Sequence, residues 1–172
     1  MTLTSLTRST LATALIALIA QAPACYAQSP TREAAPQRAI TKTPAKPAPA
    51  KSHKLAIQVN ENKPEVMNLA LNNAKNVLEH YKAKGETVKV EIVTFGPGLH
   101  MLRDDTSPVK PRIAQMALEE PNLTFTACAN TLANQSKQEQ KTITLISDAR
   151  LQPSGVVRLM ELQGQGYAYV RP

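Results

Sequence analysis

Between residues 54 and 95 the chain changes its hydrophobic period twice, and that change restricts what it can fold into. Lys54 to Asn60 (KLAIQVN) alternates Leu55, Ile57 and Val59, the period of a strand. Asn62-Lys63-Pro64-Glu65 follows, offering a capping side chain, a proline for the first turn and a glutamate three residues on, which together read as a helix start. Val66, Leu69, Ala70, Ala74, Val77, Leu78 and Tyr81 then recur at helical spacing until Gly85, a residue suited to a helix end. Val88, Val90 and Ile92 restore the period of two, continue into Val93 and Phe95 (VKVEIVTF), and run straight into Gly96-Pro97-Gly98. Strand, helix and strand in this order make a βαβ unit with neighbouring parallel strands.

The rest of the chain continues the alternation. Ser107-Pro108 opens a helix that turns Val109, Ile113, Met116 and Ala117 inward and ends near Glu120-Pro121. Leu123 to Ala127 is the third strand, and a short helix is expected just after Cys128. Thr142 to Ser147 (TITLIS) reads as a fourth strand, Pro153 to Gln163 as a helix, and Tyr167 to Val170 as a fifth strand. Residues 54 to 172 are therefore expected to form one α/β domain with a five-stranded, mostly parallel sheet flanked by helices on both faces. That length holds one ordinary core and not two. In such sheets, sites gather at the carboxyl ends of the strands.

Upstream of the domain the composition shifts. Arg8 precedes an apolar run, Leu11 to Ala20, and a small-residue stretch ends at Ala27, which is the order of a secretory signal peptide over residues 1 to 27. The run of about 10 apolar residues falls short of the roughly 20 a membrane-spanning helix needs, so no stable membrane insertion is expected. A lipidated Cys25 is the rival reading, because Ala22-Pro23-Ala24-Cys25 faintly resembles a lipobox, with Pro23 a poor fit. Residues 28 to 53 hold Pro30, Pro36, Pro44, Pro47 and Pro49 among Ala and Lys, with Ile40 as the one large apolar residue. Such a stretch buries too little to offset its ordering entropy and reads as a disordered linker. It serves as a soluble spacer or a basic tether, and the spacer is the simpler reading.

The charge follows the same division. The chain's formal +7 falls to +2 for residues 54 to 172 once Arg8 and the linker's +4 (Arg32, Arg38, Lys42, Lys46 and Lys51 against Glu33) are set aside. The basic excess thus lies in the linker, and the few aromatics show no stacking pattern, so nucleic acid is not an expected partner. Export makes the domain periplasmic or secreted.

Two features fall at the expected carboxyl edge of the sheet. The Gly96-Pro97-Gly98 turn lets backbone approach closely or adopt positive φ, but lacks the spacing of a phosphate cradle and reads equally as a tight strand-to-helix connection. Cys128, between a strand end and a helix start, is placed where unpaired amides and the helix dipole favour thiolate. A small buried apolar cysteine is the bland alternative. Cleavage would remove Cys25 and leave Cys128 without an intramolecular partner. A lone exported thiol must be buried, pair with another chain or carry something. His53 belongs to the linker, His80 to the polar side of the first helix and His100 to the loop after the glycines, so no metal-ligand spacing is present and no metal is expected. His100 could pair with Cys128 or simply be solvated, and Asp104-Asp105 suits a solvated loop better than a carboxylate pair.

Four stretches, LALNNAKNVL (69 to 78), VEIVTFGPGLHML (90 to 102), FTACANTL (125 to 132) and LQGQGYAYVRP (162 to 172), resemble the exported branch of the DsrE/DsrF-like sulfur-relay superfamily. The resemblance spans nearly all of residues 54 to 172. It implies a small α/β fold, a homo-oligomer, and a sulfur-bearing cysteine at Cys128. The side chains of Asn130 and Thr131 are then candidates to orient the thiol or a bound anion, and Gly96, Pro97, Gly98 and His100 to line the same pocket. The expected function is a periplasmic sulfur carrier more than an enzyme. Cys128 would hold a persulfide or a mixed disulfide with a donor or acceptor thiol protein, using no cofactor. The alternative is a non-catalytic small-ligand-binding or assembly module in which Cys128 only packs. Val156, Val157, Leu159, Met160 and Leu162 exceed what one helix face can bury, which supports an oligomer.

Overall fold

β1 spans Ser52–Val59, β2 Thr87–Thr94, β3 Leu123–Cys128, β4 Ala149–Gln152 and β5 Ala168–Val170, in a computed structural model that describes residues 51–172. The five strands form one sheet in the order β4-β3-β2-β1-β5, and every pairing is parallel. The helices are α1 (Pro64–Ala83), α2 (Lys110–Glu119), α3 (Ala129–Gln138) and α4 (Gly155–Gly164), with a 3-10 helix at Gly96–Leu102. The expected α/β sheet is present, and it is parallel throughout.

The strand order explains the layers. From β1 to β4 the chain steps in one direction, and right-handed crossovers put those connecting helices on one face. There α1, the 3-10 helix and α2 bury Met67, Leu71, Leu99, Leu102 and Ile113 against Ile57, Ile92 and Phe125 of the central strands. Each such side chain contributes roughly 1.5–3 kcal/mol on burial. The return from β4 to β5 runs the other way, so α4 alone covers the opposite face, where Leu159 and Leu162 meet Ala56 and Val93. That second core is thin, and it leaves the α4 side partly polar.

Several elements differ from expectation. TITLIS does not join the sheet. Its Leu145 makes an antiparallel bridge with Arg103, and the Ile146 amide donates to the Leu102 carbonyl at 3.0 Å. The edge beside β3 is filled instead by Ala149–Gln152 in register from Phe125↔Ala149 to Cys128↔Gln152. A period of two reports an extended backbone and not whose backbone it pairs with. α1 is capped by Lys63 with no side-chain bond, so Asn62 does not form the expected cap. Its buried face is Met67, Ala70, Leu71, Ala74 and Leu78, and Leu69 points outward. His53, assigned to the linker from sequence, is inside β1, stacked on Tyr81 with ring centroids 3.8 Å apart and 2.7 Å from a Glu86 carboxylate oxygen. The expected leader, Cys25 and residues 28 to 50 of the expected linker lie outside the described residues. Among the described residues, no helix is long and apolar enough to cross a membrane.

Candidate functional site

Cys128 ends β3 and caps the amino end of α3. Its Sγ accepts the Thr131 amide at 3.4 Å and lies 4.0 Å from the Pro153 carbonyl oxygen. β4 ends beside it, and the chain turns through Pro153 and Ser154 into α4, so the amino ends of two helices converge on one sulfur. The connection is fastened by the Asn130 amide, which donates to the Pro153 carbonyl at 3.2 Å. Gly155 is required at the start of α4, since a Cβ there would stand 2.8 Å from the Phe95 ring.

Cys128 is only 5% exposed. Burial is the strongest single influence on it and disfavours the thiolate. The Thr131 hydroxyl and the amides of Gly155, Thr131 and Asn130 together outweigh that effect and hold the thiol below its ordinary value. Of these groups the Thr131 amide is bonded directly to the sulfur, while the Asn130 amide is bonded to the Pro153 carbonyl beside it.

The glycine turn is joined to this cluster through Thr131. The Gly96 amide donates to Thr131 Oγ1 at 3.1 Å, and Gln135 Nε2 donates to the Gly96 carbonyl at 3.1 Å. Gly96 has φ of 53°, the left-handed region that glycine tolerates. Gly98 has a different reason to be glycine: a Cβ would sit 2.2 Å from the Val59 carbonyl oxygen, where the turn crosses the end of β1. The close approach is to the protein's own backbone.

Gly96, Pro97, His100 and Thr131, with Asn134, Gln135, Gln138 and Glu139, line an open cavity of about 370 Å³. Neither Cys128, Asn130 nor Gly98 is in that lining. The sequence candidates thus divide into a sulfur cluster and a polar cavity, with Thr131 in both. His100 Nδ1 is 2.8 Å from Thr106 Oγ1. Burial, and next the Arg103 charge, push His100 below its ordinary value, so it is neutral at pH 7. Among the described residues, no three His, Cys, Asp or Glu side chains gather as a metal would need.

Two charged clusters escaped the sequence reading. Arg103 is fully buried and donates to both carboxylate oxygens of Asp105, to both of Glu139 and to Gln135 Oε1, tying the segment after the 3-10 helix to the end of α3. Lys141 adds bonds to Asp105 and Glu139 at 2.9 and 3.1 Å. Bonds from Arg103, then Lys141, lower the Glu139 carboxyl to about 2 and push Asp105 further down still. The second cluster joins Glu91 on β2, Thr126 on β3 and Arg158 on α4. Only the pairing of an acidic with a basic residue could have hinted at either, and many other pairs in the sequence look the same.

No family model matches the chain, and no curated protein does. A solved structure of a protein of unknown function from Methanobacterium thermoautotrophicum is similar, with a TM-score of 0.59 and 24% identity, covering 70% of this chain and 99% of that one. At that identity the likeness is one of fold.

Proposed function

We propose that the domain is a periplasmic sulfur-handling protein of the DsrE-like kind, with Cys128 as the carrier of a persulfide or mixed disulfide. The observation that supports the reading is the convergence of the α3 and α4 amino ends, and of the Thr131 hydroxyl, on a sulfur whose thiol is held below its ordinary value. In the loading step the Cys128 thiolate attacks the outer sulfur of a polysulfide or thiosulfate. The donor's S–S bond breaks, a Cys128–S–S⁻ persulfide forms, and the shortened polysulfide or sulfite leaves with the electron pair. In the unloading step an acceptor thiolate takes the outer sulfur and Cys128 leaves as thiolate. Neither step needs a metal or an organic cofactor. Cleavage of the leader near Ala27 would deliver the domain to that compartment with Cys128 as its one thiol.

Incubation with polysulfide and with thiosulfate, followed by intact-protein mass spectrometry, tests the reading. One added sulfur atom on the wild type and none on Cys128→Ser is expected. No adduct with either donor refutes it for those donors. The 5% exposure of Cys128 favours a second reading, a ligand-binding or assembly module in which the cysteine only packs. Alkylation that is slow in the native protein and fast only after denaturation would select that reading.

The oligomer belongs to the same proposal. Val156, Val157 and Met160 face outward on α4 at 52%, 51% and 67% exposure, so this helix presents apolar side chains to solvent as well as to the sheet, interrupted by Arg158, Glu161 and Gln163. A second copy of the chain covering them is the expected arrangement. Light scattering should give a multiple of the monomer mass for the wild type and a monomer for Val157→Glu/Met160→Glu. A monomeric wild type at micromolar concentration refutes it.

A further inference from the structure

Beneath α4, on the face opposite the main core, lies the carboxylate of Glu91, only 5% exposed. Its Oε1 accepts Thr126 Oγ1 at 2.7 Å and Arg158 Nε at 2.8 Å, and its Oε2 accepts Arg158 Nη2 at 2.8 Å. Stability alone is a poor reason for such a pair. Desolvation offsets most of the Coulomb gain, and an apolar pair of similar volume is often as stable or more so. The three bonds do something apolar contacts would not: their direction fixes one placement of α4 along β2 and β3.

That placement bears on the sulfur. Arg158 lies three residues after Gly155, about one helical turn. Thr126 lies two residues before Cys128, on the same face of β3 and about 7 Å below it. Glu91 therefore ties together the strand that carries Cys128 and the helix whose preceding turn, at Pro153, lies 4.0 Å from the sulfur. Phe95, already in contact with Gly155, leaves the helix start no room to move inward. A slip of one residue along α4 is about 1.5 Å, enough to move the helix start away from the sulfur, to which the Pro153 carbonyl oxygen now lies at 4.0 Å.

We propose that Glu91, Arg158 and Thr126 are positioning residues that set the register of α4 and so hold its amino end, and the Pro153 turn that leads into it, beside Cys128. The inference rests on reading Cys128 as a reactive thiol, and it assigns the buried ion pair to the tuning of that thiol.

The test is Glu91→Leu/Arg158→Leu in the mature protein, which removes two opposite charges together and leaves the net field at the sulfur little changed. Thiolate absorbance against pH, iodoacetamide alkylation at pH 6 and thermal unfolding are measured on it and on the wild type. The double variant is expected to unfold cooperatively at a Tm no lower than the wild type. Its thiol should titrate at higher pH and alkylate up to about tenfold more slowly, within what a helix amino end is worth to a nearby, partly buried negative charge. Glu91→Gln separates registry from charge. Removing a negative charge alone would favour thiolate and speed alkylation, whereas loss of registry slows it. A double variant that folds and alkylates like the wild type overturns the inference. So does one that fails to fold, because the pair would then be holding the domain together. A wild-type thiol that titrates at or above its ordinary value instead refutes the reading of Cys128, and this inference falls with it.

Discussion

Replacing Gly98 with alanine isolates the contact on which the carboxyl edge of the sheet is built. The added Cβ would lie 2.2 Å from the Val59 oxygen, 2.6 Å from its carbonyl carbon and 2.7 Å from the Asn60 Cα, all of them backbone. Real Cβ atoms essentially never come within 3.0 Å, so the turn and the end of β1 must separate by about 0.8 Å. No rotamer change can absorb that. The cost should fall at the upper end of the overpacking range, about 3 kcal/mol. With a urea m-value of about 1.5 kcal/mol/M, the unfolding midpoint should drop by about 2 M with m unchanged. Gly164→Ala is the control: nothing lies within 4 Å of its Cβ position, and helix propensity predicts no loss and a gain of up to about 1 kcal/mol. The displaced turn would also withdraw the Gly96 amide from Thr131, so alkylation of Cys128 should slow in Gly98→Ala and not in Gly164→Ala. Equal urea midpoints for Gly98→Ala and wild type would refute the contact.

Thr131→Val removes the hydroxyl that supports the sulfur and should slow iodoacetamide alkylation below the thiol's titration by roughly threefold to tenfold, with little change in Tm. Because the folded thiol is held below its ordinary value of 9.0, wild-type stability relative to Cys128→Ala should rise as pH climbs through the folded value and level off above about 9. A flat difference across that window counts against the depressed thiol. The Arg103 cluster predicts the acid limb: Asp105 and Glu139 add stability above their ordinary values, and it is lost as pH falls from 4.5 towards the folded Glu139 value of about 2. Tm of the wild type should decline over that window in thermal melts. Arg103→Gln should start several degrees lower and decline less.

The sheet was legible wherever buried residues alternated or recurred at helical spacing, as in Leu55-Ile57-Val59 and Val109-Ile113-Met116. It was not legible where a segment's partner lay elsewhere in the chain. TITLIS has the alternation of a strand, yet its backbone is taken by Leu102 and Asp104. Ala149–Gln152 has no alternation, because an edge strand leaves Arg150 and Leu151 in water. The position of Cys128 could be read because strand ends and helix starts leave local marks. The Pro153 turn and the amino end of α4 beside it could not, since they arrive from a different part of the chain. Glu91 sits between Val90 and Ile92 and looks like an ordinary outward residue, until α4 closes over that face.

β1 is the first strand of the described domain, and β5 is the last. They are neighbours, in register from Leu55↔Ala168 to Ile57↔Val170, and the Tyr169 hydroxyl donates to Gln58 Oε1 at 2.7 Å across a separation of 111 residues. The sheet is therefore completed only when residues 168–170, more than 110 positions after their partners in β1, have been synthesised and have taken their place beside it. Until then β1 offers an unpaired ladder of amides and carbonyls, the kind of edge on which chains aggregate or exchange strands. Anything that withholds Ala168–Val170 would leave that edge open, while most of the main core already has its full set of side chains.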